Sequence, residues 1–156
     1  MATEKLDGTN VRLTVRNHML VRLEKRRNPN QRQKAQEITE PWYVDADEYE
    51  PSDKTIWDAA QHTDLSNVPD GEWSGEAVGP KIQGNPLHLE QHTVVLFSLP
   101  AVCEMLKFEQ VPTTYEGLKR WLPEQESKFG NRCKIEGIVW HCPDGSMMKI
   151  KTKDFK

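Results

Sequence analysis

Lys5-Leu6-Asp7-Gly8-Thr9-Asn10, running straight into Val11-Arg12-Leu13-Thr14-Val15, is the stretch on which the reading of this chain turns. Asp7-Gly8 alone is a common turn dipeptide, and a lysine beside a turn is usually a solvated lysine. The residues after it say more. Apolar and polar side chains alternate through residues 11–15 and again through 19–23, the period of two that sends neighbours to opposite faces of a strand. Asn17-His18 between the two runs predicts a hairpin close behind the first motif.

Working outward, short strands are expected at residues 75–78, 94–99, 134–140 and 147–151, the last two joined by a Pro143-Asp144-Gly145 turn. One helix is expected over KTIWDAAQ, starting at Ser52 or Asp53. A second follows Thr113, with Glu116 completing a capping box and Leu118, Trp121 and Leu122 forming its packing stripe. Strands outnumber helices and do not alternate with them, so the class is α+β, with mainly antiparallel sheets and flanking helices.

Composition bounds the function. The 156 residues, 36% hydrophobic and 29% charged, with five Trp and four Phe, suit a folded protein of one domain spanning 1–156. No apolar run approaches the roughly 18 residues a membrane span needs, and there is no signal-peptide segment, so a cytoplasmic protein with no membrane partner is expected. Cys103, Cys133 and Cys142 leave one thiol unpaired under any scheme, which suits free thiols in a reducing compartment. A net charge of -3 excludes a protein that coats nucleic acid through a general basic surface. Local charge is different: Arg22, Lys25, Arg26, Arg27, Arg32 and Lys34 cluster ahead of Asp45, Asp47, Glu48, Glu50 and Asp53. That pattern is either a solvated loop with an acidic neighbour or a phosphate-contacting patch.

A lysine amine attacks a phosphate only when deprotonated, so it needs nearby cations or a metal, carboxylates to hold that metal, and further cations for the charge building on the phosphate. Glu76 in GEAVG, Glu136 in EGIVW, and Lys149 with Lys151 in MKIKTKDF supply those groups in strand-like contexts. Alternation puts Lys149 and Lys151 on one strand face, with Met148 and Ile150 expected in the core.

In order, KLDGTN, the Arg26 region, GEAVG, the strand at 94–99, EGIVW and KIK resemble the motifs of the covalent nucleotidyltransferases: DNA ligases, RNA ligases and mRNA capping enzymes. Within that superfamily, KLDGTN followed by KRRNP resembles the phage-type and editing-type ATP-dependent RNA ligases. The resemblance implies a nucleotidyltransferase (ATP-grasp-like ligase adenylation) core that uses ATP and Mg2+ or Mn2+ to join RNA 5'-phosphate and 3'-hydroxyl ends through a lysyl-AMP intermediate. By the same resemblance, Lys5 is the nucleophile, and Asp7 contacts it or its metal-water shell. Asn10 and Arg26, or Arg27 if the alignment slips by one, approach the ribose and phosphates. Glu76 binds the ribose or assists the metal, Glu136 holds the metal, and Lys149 and Lys151 meet the α-phosphate. Lys81, Gln83 and Asn85 of the GPKIQGNP segment are placed near the nucleotide or an RNA end.

Adenine in the superfamily stacks on an aromatic residue of the strand after GE, where Phe97 is the only aromatic; Val94 is the alternative, with Phe97 then in the core. Only Met1 to Glu4 precede Lys5, which suggests an N-terminal truncation, and the end of the chain leaves no room for an OB domain. A monomer is expected. A DNA ligase, a GTP-dependent guanylyltransferase and a truncated, non-catalytic nucleotide- or RNA-binding core remain as alternatives. His141-Cys142 near Cys133 matches no zinc spacing and His141 is expected at an ordinary surface position, while His88 and His92 around Glu90 lack a fourth metal ligand. No P-loop, GxGxxG or GxSxG is present.

Overall fold

The hairpin after the first motif forms as expected in this computed structural model, which describes residues 1–155. Strands β2 (Thr9–Arg16) and β3 (Met19–Arg27) are joined by Asn17 and His18, at φ 52° and 61°. Two successive left-handed residues give the turn whose twist matches that of paired strands, and asparagine is among the residues that tolerate it. This hairpin is the middle of a five-stranded antiparallel sheet in the order β4-β3-β2-β5-β6, completed by β4 (Trp42–Asp45), β5 (Gly71–Val78) and β6 (Thr93–Val95).

A second antiparallel sheet, of four strands, runs β7-β1-β8-β9, with β1 (Ala2–Lys5), β7 (Lys107–Phe108), β8 (Gly137–His141) and β9 (Met147–Lys151). Four helices flank the sheets: α1 (Gln31–Ala35), α2 (Pro51–Gln61), α3 (Pro100–Leu106) and α4 (Tyr115–Trp121). None of the described helices is long and apolar enough to cross a membrane.

Alternation sorts each sheet into an apolar and a polar face. Val11, Leu13, Val15 and Leu23 of the first sheet are fully buried with Ile56, Ala59 and Ala60 of α2. In the second sheet Ala2 and Ile138 pack with Leu118 and Leu122 beneath α4, and Trp121 and Ile150 lie against them. A fully buried Leu or Ile contributes about 1.5–3 kcal/mol, so the two apolar faces fix the register of both sheets, because a one-residue slip would turn every buried side chain outward. Leu6, Val78, Val95 and Leu106 form a third cluster.

Several boundaries move from their sequence-based positions. β6 stops at Val95 rather than reaching Leu99, since residues 96–99 turn into α3, whose first residue, Pro100, cannot extend a ladder. β8 begins at Gly137 and not at residue 134; Lys134 makes only an isolated bridge with Glu126. α2 starts with Pro51 after Glu50, and Asp53 does not cap it: its buried carboxylate takes Lys25 Nζ at 2.6 Å and Asp47 N–H at 2.8 Å. Thr114, not Thr113, caps α4 through Gly117 N–H, with no capping box from Glu116. Met148 is 63% exposed near the outer end of edge strand β9, so of the pair expected in the core only Ile150 packs inward.

Gly137 sits where β8 meets β9, and a Cβ there would lie 2.0 Å from Ile150 O and 2.8 Å from Lys151 Cα. Both obstacles are backbone. Gly137→Ala is expected to lower stability by about 2–3 kcal/mol and to loosen β9, read as a reduced denaturant midpoint; an unchanged midpoint would refute this.

Candidate active site

The polar faces of the two sheets line one pocket, with Lys5, Asn10, Arg26, Glu76, Phe97 and Lys149 in its wall. Register explains which side chains meet. In the second sheet Lys5 pairs with Gly137 and Gly137 with Lys151, while Thr3 pairs with Val139 and Val139 with Lys149. Directly paired residues share a face, as do residues two apart, so Lys5, Lys149 and Lys151 all stand on the face turned away from α4. Gly137 between Lys5 and Lys151 leaves the middle of that row without a side chain.

In the first sheet Asn10 pairs with Glu76 and Arg26 with Tyr43. Continuing the β2–β3 register by one residue sets Arg26 beside Asn10, which makes a row of Tyr43, Arg26, Asn10 and Glu76 across four strands. The alternative Arg27 falls on the opposite face with Lys25, where its charge acts on Asp53. The basic cluster is thereby divided. Arg22 pairs with Asp45 at 2.7 Å and Lys25 with Asp53, whereas Arg26 enters the pocket with its Nε buried and without a hydrogen-bond partner. A buried unpaired guanidinium nitrogen is costly, and an anion in the pocket would relieve it.

Lys5 Nζ donates to Glu136 Oε2 at 3.0 Å, and Lys151 Nζ lies 3.9 Å from the other oxygen of the same carboxylate. Burial pushes the Glu76 carboxyl up to about 7, with the attraction of Lys5 working against it and the charges of Glu136 and Asp7 reinforcing it. Asp7 is raised by burial and by Glu136, and Lys149 is lowered by burial and by Arg26 and Lys5. The site thus crowds three carboxylates and three further cations around Lys5, a strained charge pattern of the kind active sites carry.

The loop residues behave otherwise. Lys81, Gln83 and Asn85 do not line the pocket; the Asn85 carboxamide is taken up by Leu89, accepting from its N–H at 3.0 Å and donating to its carbonyl at 2.9 Å. Lys81 N–H donates to His92 Nε2, and His92 Nδ1 faces Asp58 at 2.7 Å, so His92 ties this loop to α2. Among the described residues no group of three or more His, Cys, Asp or Glu is placed to hold a metal by itself. Phe97 reaches the pocket from a turn rather than from the strand, on the side of Val95, while Val94 packs in the α2 core.

Among the pocket residues not singled out from sequence as binding residues are Thr3, Tyr43, Ser74 and His141. His141 is not an ordinary surface histidine, because its Nε2 lies 2.9 Å from Thr3 Oγ1 and burial lowers its pKa. Glu4, next to the lysine, is buried with its carboxylate accepting from Ser127 Oγ and Lys128 N–H, both at 2.6 Å, which anchors the 127–131 loop against β1. Pairing across strands selects these residues, and sequence spacing carries no trace of it.

A floor of lysines facing carboxylates across two antiparallel sheets is an arrangement suited to phosphoryl chemistry at an amine. The fold matches solved RNA ligases of Naegleria gruberi: an apo variant (18% identity, TM-score 0.58), a form with PPi (18%, 0.56) and a variant with AMP and Mn (17%, 0.59). Each match covers 99% of this chain and 49% of the other, so the chain spans about half the length of those ligases. No curated protein sequence matches. The RNA ligase 1 family model matches residues 53–155, about two thirds of the chain, and the protein belongs to that family. The matched stretch contains Glu76, Glu136, Lys149 and Lys151; Lys5, Asp7, Asn10 and Arg26 precede it.

Proposed function

We propose that this chain is a nucleotidyltransferase domain, the adenylating core of an ATP-dependent RNA ligase, with Lys5 as the residue that becomes covalently bound to AMP. The observation that carries the reading is the pocket that Lys5, held 3.0 Å from Glu136, lines together with Lys149 of its own sheet and Arg26, Asn10 and Glu76 of the facing one, with Lys151 on the same strand face 3.9 Å from Glu136. Family membership and the ATP- and Mn-containing Naegleria gruberi ligases support it.

In the first step the Lys5 ammonium, released from Glu136, gives its proton to water, and the freed nitrogen attacks the α-phosphorus of ATP. The new N–P bond forms as the P–O bond to pyrophosphate breaks, and pyrophosphate leaves with the bonding pair. Lys149 and Lys151 take up charge developing on the α-phosphoryl oxygens, and Arg26 offers its unpartnered Nε to the phosphates. An RNA 5'-phosphate then attacks the same phosphorus and frees Lys5. Finally an RNA 3'-hydroxyl attacks the adenylated 5'-phosphate and AMP departs.

A divalent cation, Mg2+ or Mn2+, bound by Glu136 and Glu76 would supply charge neutralisation on the phosphates. The donor set fits that role: Glu76 and Glu136 stand close enough, with Asp7, for their charges to repel one another, and a cation among them would relieve that repulsion. With no cluster of three protein ligands among the described residues, the remaining positions would go to phosphate oxygens and water, as is usual for Mg2+.

Incubating the protein with α-labelled ATP and Mg2+ is expected to leave label on the chain through denaturing electrophoresis, with labelled GTP giving at most about a tenth as much. Lack of label from ATP overturns the reading, and preferential labelling by GTP transfers the protein to the guanylyltransferase class. A nicked RNA duplex should be sealed in preference to nicked DNA.

A further inference from the structure

Tyr43 has no place in the chemistry above, yet its hydroxyl donates to Asn10 Oδ1 at 2.6 Å inside the pocket. The bond spans two strand spacings. Tyr43 is on edge strand β4 and Asn10 on β2, with Arg26 of β3 between them, a separation of roughly 9.6 Å between strand axes. The tyrosine therefore passes beside Arg26 to reach its partner.

The tyrosine is itself fixed. The Arg12 guanidinium lies 4.3 Å from the centroid of its ring. That guanidinium is held in a fork by Glu24, at 3.0 Å through Nε and 2.9 Å through Nη2, and the Glu24 side chain is only 3% exposed. A bidentate pair with one buried partner fixes orientation as well as distance, and a cation over an aromatic face discourages the ring from swinging away. Glu24, Arg12, Tyr43 and Asn10 thus make one chain of contacts leading from the sheet into the pocket.

A carboxamide presents its oxygen on one side and its N–H groups on the other. With Oδ1 engaged by Tyr43, the N–H groups of Asn10 are what it offers to a bound ligand. We propose that Tyr43 is a positioning residue that sets the Asn10 amide with its N–H donors toward the bound nucleotide. This rests on reading the pocket as a nucleotide site. Asn10 meets oxygens present before and during phosphoryl transfer, so its contribution is uniform binding and appears in KM rather than kcat.

The test is single-turnover lysine adenylation with α-labelled ATP, for wild type, Tyr43→Phe, Asn10→Ala and the double variant, with each variant's melting temperature confirmed equal to wild type. Tyr43→Phe keeps the ring over Arg12 and removes only the hydroxyl. It is expected to raise the ATP concentration for half-maximal rate about 5- to 15-fold with the limiting rate within twofold, the equivalent of one hydrogen bond. Asn10→Ala should cost at least as much, and adding Tyr43→Phe to it should cost nothing further, because the two act through one contact. Independent, multiplying losses, or wild-type behaviour of Tyr43→Phe, overturn the inference while the labelled lysine stands. An absence of label in wild type overturns both readings. If Tyr43→Phe lowers the melting temperature, ATP titration of the folded variant at lower temperature reads the same ratio, and an unchanged affinity there refutes the role.

Discussion

Lys5→Ala is expected to take up no label from ATP, a loss of more than about 10³-fold, because Lys5 supplies the amine that bonds to phosphorus and Lys149 and Lys151 serve the charge on the phosphate. Lys5→Arg should be as inactive, although it keeps the charge, since a guanidinium stays protonated at any working pH. ATP binding itself should survive in both, because Arg26 and Lys149 still line the pocket and Lys151 stands on the same strand face. The fold should survive as well. The pair with Glu136 is a partly exposed one of 21% and 20% side-chain exposure, and its removal costs at most about 1 kcal/mol, leaving Lys151 beside the same carboxylate. Covalent label on Lys5→Ala, mapped to any other residue, would remove Lys5 from the mechanism.

The second large effect belongs to Glu76 and has opposite signs for stability and function. Its folded-state pKa of about 7 lies above the ordinary glutamate value of 4.5, so near neutral pH the native state holds a proton that the unfolded chain has lost. Below about pH 4.5 both states are protonated and the group contributes nothing. As pH rises toward 7 the native protein is progressively destabilised, and above 7 the full cost applies. At 1.36 kcal/mol per unit, reduced for the partial exposure of the group, that cost is about 2–3 kcal/mol. Glu76→Gln is therefore expected to melt about 5–10 °C higher than wild type at pH 8 and to converge with it at pH 4.5. The same change should cut lysine adenylation at least about 100-fold, since a neutral amide brings no negative charge to a metal or to the cations around Lys5. Matching melting curves at pH 8 would show that burial does not act on Glu76 in this way.

Much of this organisation is readable along the chain because it follows from local periodicity. The hairpin around Asn17-His18, the buried face of β2, and the shared face of Lys149 and Lys151 all depend on the two-residue alternation of a strand, which spacing displays directly. Chain order likewise displays the succession of Lys5, Arg26, Glu76, Glu136 and the two late lysines, whose residue types suit amine attack on a phosphate. The expected boundaries failed where alternation is interrupted by something periodicity does not see. Pro100 ends β6 at the turn bearing Phe97, and Asp53 looks like a helix cap until Lys25 and the Asp47 N–H claim it.

Residue types and their order by themselves point to the α+β class, and they mark Lys5 as the candidate nucleophile together with the partners such an amine would need. Only the tertiary structure decides which member of an adjacent pair does the work. Arg26 rather than Arg27 enters the pocket because register with Tyr43 puts it on that face. Tyr43, Thr3 and His141 join the site because strands distant in sequence pair beside Lys5 and Asn10. The physical reason is that strand pairing is long-range: the burial of two apolar faces sets the register, and register, not sequence separation, chooses which side chains meet.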